Sequence, residues 1–306
     1  MTADADLPTI SVVTSCFNAG DLVEETIQSV LQQRYARLQY VFIDGKSSDN
    51  TFEIAQRYAS GIAVLLSERD DGQYHGIQKG MALATGEVMA WLNGDDIYCP
   101  WTLSVVSEIF ARFPEVDWIV GTSSFMNGRG QCTRVSGNSG TAMPRSYIRN
   151  GWFRPQLAGY LQQESMFWRR SLWERVGGLD LSLRLAADFD LWRRFAEHAE
   201  LHAVNVPLAL FRQRPGVQRS SAAQPAYEAE VERICSSLPM PPAVWSALSG
   251  RSESLRHLCR MLVWKPSSVI SYSSASQQWV RRTSRRPLAR TSMADLLQER
   301  AVRRAT

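Results

Sequence analysis

Apolar and polar positions alternate along the first hundred residues in two periods. ISVVTSC (10–16) is a short β-branched run, and behind the turn Asn18-Ala19-Gly20 the segment LVEETIQSVLQQ (22–33) carries apolar residues at three- and four-residue spacing. That pair predicts a strand and then an amphipathic helix with Asp21 as its N-cap. The alternation repeats. LQYVFID (38–44), IAVLLSE (62–68) and EVMAWLN (87–93) read as strands, with SSDNTFEIAQRYA (47–59) and YHGIQKGMALA (74–84) as the intervening helices, the first capped by Ser48 or Asp49. Strands separated by such helices indicate βαβ units and a parallel sheet, and right-handed crossovers set the carboxyl ends of the strands on one edge. Open α/β sheets bind ligands beyond that edge. Four polar clusters fall there: Thr14 to Asn18, DGKSSD (44–49), SERDDG (67–72) and NGDD (93–96).

Composition narrows the class. Among 306 residues, 44% are hydrophobic and 21% charged, which describes a folded globular chain rather than a disordered one. No apolar run approaches the roughly 18 residues of a membrane span. Asp4 and Asp6 stand where a secretory leader would be basic and then apolar, so a cytoplasmic location is expected. The five cysteines form no CxxC pair, which argues against a disulfide framework or a zinc site.

Charge is distributed unevenly. Of 34 basic and 30 acidic residues, 12 and 3 lie in 249–306, giving net +9 there and −5 in the rest. Within that tail a Ser-rich stretch, SSVISYSSAS (267–276), reads as a linker leading to QQWVRRTSRRPLAR (277–290). The segment is either a solvated tail or an attachment to anionic membrane surfaces, with Trp279 at the boundary and arginines on the headgroups. Nucleic acid is the other polyanion, but no nucleic-acid motif accompanies the basic run, so none is expected as a partner.

The first strand-to-helix turn, TSCFNAGD, lacks the GxGxxG of a dinucleotide fold, and no Walker A pattern occurs. A bound diphosphate would need another source of positive charge. Asp95 and Asp96, directly after EVMAWLNG, are oxygen ligands of the kind that hold Mg²⁺ or Mn²⁺ against a substrate diphosphate. An aspartate pair after a strand is also an ordinary turn, and Asp44-Gly45 likewise. Four such clusters on one edge favour a site.

The ordered segments PTISVVTSCFN, VFIDGKSSDNT, SERDDGQYHGIQKGMALATGEVMAWLNGDD, QESMFWRRSLWERVGGLD and LAADFDLWRRF resemble a family 2 glycosyltransferase of the GT-A fold, over about residues 7–212. The resemblance implies an α/β fold with a mostly parallel central sheet flanked by helices. It covers a transferase domain, 1–215 (nucleotide-binding half 1–120, acceptor half 121–215), and the chain beyond it reads as a helical and basic C-terminal extension, 216–306, partly flexible. It further implies that Thr14 and Asn18 line the nucleotide pocket, that Asp44 receives the base, and that Asp70 and Lys79 close over the nucleotide, Lys79 on a phosphate. Asp95 meets the ribose or the metal and Asp96 the metal, Mn²⁺ or Mg²⁺. Three positions depart from the family pattern: Asn93 where many members carry Asp, and His75 and Gln78 where relatives often show Asp and Asn.

In the second half, Gln162, Gln163 and Glu164 precede a strand and a helix that stops at Gly177-Gly178. Sugar transfer with inversion needs one general base to deprotonate the acceptor hydroxyl. By the resemblance that base is Asp188, whereas Asp190 points elsewhere on the helix. Gln163, Glu164 and Trp168 are the acceptor candidates, with Trp152 the other aromatic platform, whereas Trp173 and Trp192 fall at helical spacings that suit a core. The expected activity is metal-dependent, inverting transfer from a nucleotide sugar to a glycan or lipid-linked acceptor, in cell-surface polysaccharide synthesis. Two alternatives remain: a degenerate transferase that binds glycans or scaffolds, and a nucleotidyltransferase. LPTISVVTSCFNAGD lacks the arginine and lysine that the latter would use.

Overall fold

The computed structural model describes residues 7–135, 142–154, 157–214, 223–241, 243 and 265–284. The predicted alternation is present: β1 (Ile10–Cys16), α1 (Val23–Leu31), β2 (Leu38–Asp44), α2 (Thr51–Arg57), β3 (Val64–Ser67), α3 (Gln73–Leu83) and β4 (Val88–Trp91). These strands pair in parallel in the order β4-β1-β2-β3. There follow β5 (Ile97–Tyr98), α4 (Thr102–Arg112), β6 (Trp118–Val120), β7 (Ser124–Met126), β8 (Cys132–Val135), α5 (Arg145–Arg149), β9 (Met166–Arg169), α6 (Arg170–Val176) and α7 (Ala187–His198). The last elements are β10 (Leu201–Val204), β11 (Ala209–Arg212), α8 (Gln224–Cys235), β12 (Ser267–Ser273) and β13 (Gln278–Ser284).

Nine strands form the main sheet in the order β13-β12-β10-β6-β9-β4-β1-β2-β3. Within it β9 runs antiparallel to both β4 and β6, and β13 antiparallel to β12. A second sheet, β5-β11-β7-β8, lies over the carboxyl edge and brings β11 beside the loop after β4. β1 is buried along its whole length, as a central parallel strand covered on both faces must be. One of those faces is filled by tryptophans: Trp91 stacks on Trp192 at 5.5 Å, and Trp168 meets both edge-on.

Local expectations are corrected at three points. Leu22, not Asp21, is the N-cap of α1, and its side chain makes no capping bond. The N-cap of α2 is Asn50, while Asp49, one residue before it, accepts from Thr51 N at 3.0 Å. The Ser-rich stretch is not a linker: Ser267–Ser273 is β12, paired in parallel with β10 and antiparallel with β13. Both faces of β12 are covered: Ile270 packs in one core and Val269 against the other, and the adjacent Ser267 and Ser268 are buried as well, which serine richness conceals. Trp279 is buried too and donates from Nε1 to Glu108 at 2.8 Å, so it is no membrane-boundary residue. Arg281 and Arg282 lie on β13, Arg281 pairing with Glu115 at 2.8 Å, while Arg285, Arg286 and Arg290 lie outside the described residues. Among the described residues no helix is long and apolar enough to cross a membrane.

Candidate active site

Parallel pairing sets the loops after β1, β2 and β3 side by side, and hydrogen bonds lock them. Asn18, in the left-handed region at φ 49°, accepts from Ser48 N at 2.9 Å through Oδ1, and its own N–H donates to Ser47 Oγ at 2.9 Å. Asp44, fully buried at the end of β2, accepts from Ser67 Oγ at 2.5 Å and from Ser47 N at 3.2 Å. Asp70 accepts from Gly72 N at 2.9 Å. Gly76 explains how close α3 comes: a Cβ there would sit 2.2 Å from Ser15 Oγ and 2.8 Å from Asp70 Oδ2. Burial pushes the Cys16 thiol up, and the charges of Asp44, Asp49 and Asp70 add to it, so these carboxylates converge on one spot.

Two expected residues sit differently. Thr14 is fully buried and its hydroxyl accepts from Tyr40 at 3.1 Å, which places it beneath the cleft rather than in it. Lys79 is held by Glu68 at 2.8 Å and by the carbonyl of Arg69 at 2.9 Å.

Across the cleft, the turn after β4 presents Asp95 and Asp96. Asp96 is 1% exposed, and its carboxylate accepts from Arg212 N at 2.9 Å and Asn93 Nδ2 at 3.2 Å. Burial, reinforced by Asp95, pushes its carboxyl up. Arg212, with no exposed side-chain surface, donates to the Asp95 carbonyl at 2.7 Å and to Glu25 at 2.5 Å. Arg214 pairs with the Asp95 carboxylate at 2.9 Å. Gln163 donates to the Trp91 carbonyl at 2.7 Å and accepts from Asn93 at 3.1 Å. Glu164 is 2% exposed, and its carboxyl is pushed well up by burial and by the charges of Asp96, Asp95 and Asp188. Asn93 bonds both Asp96 and Gln163, which joins the Asp95–Asp96 turn to the Gln163–Glu164 segment.

Asp188 lies in the first turn of α7. Its Oδ1 accepts from Phe189 N at 2.8 Å and from the Tyr74 hydroxyl at 2.9 Å. Burial outweighs both bonds and raises its carboxyl. Asp190, two residues on, turns away into ion pairs with Arg194 at 2.6 Å and Arg193 at 3.4 Å.

The aromatic acceptor candidate is corrected: Trp168 is fully buried in the tryptophan cluster and reaches no surface. Trp152 is likewise buried, and its indole donates to the Pro239 carbonyl at 2.9 Å. Tyr74, Arg212 and Arg214 were not singled out from the sequence. The i, i+2 spacing of the two arginines puts both on one side of the extended chain, which is a legible signal, but only β11 pairing with β5 brings them to Asp95.

Among the described residues no group of three or more histidine, cysteine, aspartate or glutamate side chains forms a ready metal site. Asp95 and Asp96 nonetheless form an all-oxygen donor pair crowded by Glu164, and a hard divalent cation completed by phosphate oxygens matches that set.

Known proteins share this fold and its family. Residues 11–176, over half of the chain, match the model of glycosyl transferase family 2, and the chain belongs to that family. It is 29% identical over 197 residues to an uncharacterised glycosyltransferase of Mycobacterium tuberculosis strain H37Rv, spanning 62% of this chain and 69% of that one. Among solved structures, S. aureus TarS 1–349 in complex with UDP-GlcNAc superposes with TM-score 0.60 at 16% identity, covering 84% of this chain and 76% of that one. The mannosyltransferase PcManGT of Pyrobaculum calidifontis, in complex with GDP-Man and Mn²⁺, gives TM-score 0.54 at 19% identity, covering 84% and 72%. The fold is thus the GT-A type, and the protein is a glycosyltransferase.

Proposed function

We propose that this glycosyltransferase moves a hexose from a nucleoside-diphosphate sugar to a hydroxyl of a glycan or lipid-linked acceptor, with inversion, in cell-surface polysaccharide synthesis. The observation that carries the reading is that the Asp95–Asp96 turn at the carboxyl edge of the sheet is joined through Asn93 to Gln163, beside Glu164, with Asp188 held by Tyr74 of α3. Asn18, Asp44 and Asp70 line the base side of the donor, with Thr14 supporting them from below and Lys79 beside them. TarS in complex with UDP-GlcNAc and PcManGT in complex with GDP-Man and Mn²⁺ support the donor class and a cation.

Asp188 takes the proton of the acceptor hydroxyl while the new C1–O bond forms and the nucleoside diphosphate leaves with the electrons of the old one. A raised carboxyl makes it a better base once ionised. Both of its hydrogen bonds fall on Oδ1, so Oδ2 is the oxygen that receives the proton. Asp95 and Asp96 would hold Mn²⁺ or Mg²⁺, which would supply positive charge to the departing diphosphate. Arg214 adds a second positive group beside Asp95. Gln163 and Glu164 lie on the acceptor side. The work takes place at the cytoplasmic face of the membrane, where the basic tail adds attraction to anionic lipid.

Incubation with Mn²⁺ and a panel of nucleotide sugars, reading released nucleoside diphosphate, identifies the donor. Asp188→Asn should then lower turnover about 10²- to 10⁴-fold while nucleotide affinity by calorimetry persists. Loss of both together would assign Asp188 a structural role instead.

A further inference from the structure

Beyond the segment that matches the family, α8 reaches back to the start of α7. Glu230, half-buried on α8, accepts three consecutive backbone N–H groups: Arg184 on Oε1 at 3.0 Å, and Leu185 and Ala186 on Oε2, each at 2.9 Å. Ala186 is the N-cap of α7, and Asp188 follows two residues later. The carbonyl of Leu185 accepts from the Tyr74 hydroxyl at 2.8 Å, and that same hydroxyl lies 2.9 Å from Asp188 Oδ1. One carboxylate therefore fixes the turn whose carbonyl fixes the tyrosine that touches the base.

We propose that Glu230 is a positioning residue for the transfer reaction, holding the Arg184–Ala186 turn so that Tyr74 and Asp188 keep their productive geometry. This rests on the reading of Asp188 as general base. The anchoring is firm on both sides. Val231 is buried at 3% exposure, Tyr227, Ile234 and Cys235 pack on the same core, and Glu232 pairs with Arg154, so α8 does not drift from α7. Burial opposes a charge on Glu230, but the three N–H bonds outweigh it and hold its carboxyl below the usual range, so the group is anionic where the enzyme works.

The arrangement also carries a charge. The groups that face Asp188 are Tyr74 from α3, Tyr227 and Glu230 from α8, and Glu164 from the segment before β9. Among them Glu230 is the anion whose removal leaves the cleft floor untouched, because its own partners are backbone groups of the turn. Taking away a like charge makes Asp188 easier to ionise. A purely structural residue would have no such signature.

The test uses the full chain with Glu230→Gln, Glu230→Asp and Glu230→Ala. In ¹³C-aspartate-labelled protein, with the Asp188 resonance assigned by its loss in Asp188→Asn, Glu230→Gln should move the Asp188 titration to lower pH. Glu230→Asp should hold it near the wild-type position. With the donor that the panel identifies, Glu230→Gln should lower kcat about tenfold at unchanged donor KM, since small misplacements of a base are costly. The acid limb of the rate profile should shift the same way as the resonance. Should Glu230→Ala fail to fold, the glutamine variant carries the test. An unmoved Asp188 titration in Glu230→Gln, or a kcat loss matched by an equal loss of folded protein, overturns the proposal. If Asp188→Asn itself remains fully active, the general-base reading fails instead, and the two failures are told apart.

Discussion

On the β1–β3 side of the cleft, each polar loop follows its own strand and is fastened to the loop beside it. Asn18 and Ser47 are 29 residues apart, Asp44 and Ser67 only 23. On the other side the partners come from distant chain: Arg214 and Asp95 are 119 residues apart, and Tyr74 and Asp188 are 114 apart. The first side is assembled by successive βα units. The second exists only after β11, α7 and α8 have closed over β4. The β1–β3 side is therefore tolerant of change elsewhere, whereas the side that holds Asp95 and Asp188 depends on tertiary closure.

That contrast is most sharply tested at Asp96, which sits on the seam between the two. Asp96→Ala deletes the carboxylate proposed to hold the cation and should lower turnover about 10²- to 10³-fold, the usual loss for one electrostatic stabiliser. Chelator should produce a similar loss in the wild type, and an active variant with unchanged Mn²⁺ response would remove Asp96 from the reaction. Next comes the core of the distal half. Trp168→Ala should cost about 3–5 kcal/mol by denaturant midpoint, as expected for a large buried aromatic. Stability left intact with a raised acceptor KM would return Trp168 to the acceptor cleft.

A smaller effect follows from His202 on β10, 6% exposed and 2.6 Å from Ser268 Oγ on β12. Burial holds its imidazole down at about 4, with Arg281 assisting. The unfolded chain then binds the extra proton first, so stability is lost as pH falls from about 6.5 toward 4, by about 3 kcal/mol in all. Urea titrations across that range should show the loss, and His202→Gln should flatten it. The smallest change is expected at Lys79 on the donor side. Lys79→Met removes a partly exposed pair with Glu68 and should alter stability by no more than about 1 kcal/mol. A tenfold rise in donor KM would instead reveal a phosphate contact.

The same contrast explains what could be read from sequence. β1 and β2 are delimited to the residue by their β-branched and apolar runs, because a central parallel strand is buried on both faces. Asp44, Asp70, Asp95 and Asp96 were legible because each ends a strand or opens the next loop. Arg212, Tyr74 and Glu230 were not, since nothing local marks a side chain whose partner lies a hundred residues away. The tryptophans misled in the opposite sense, for an indole at an alternating position suits a sugar platform and a core equally well. β12 escaped notice because serine, small enough to be buried between strands, carries no hydrophobic signature.

The hairpin that β12 forms with β13 has a consequence for the order in which the molecule comes into being. His202 and Ser268 touch across adjacent parallel strands, yet 66 residues separate them. At synthesis rates of about 5–20 residues per second, β10 leaves the ribosome roughly 3–13 s before its neighbour is made. During that interval the backbone N–H and C=O groups along its outer edge have no strand to meet, and such an edge invites pairing with other chains. The nascent enzyme is thus most prone to association after its catalytic cleft has been translated and before its final strands arrive.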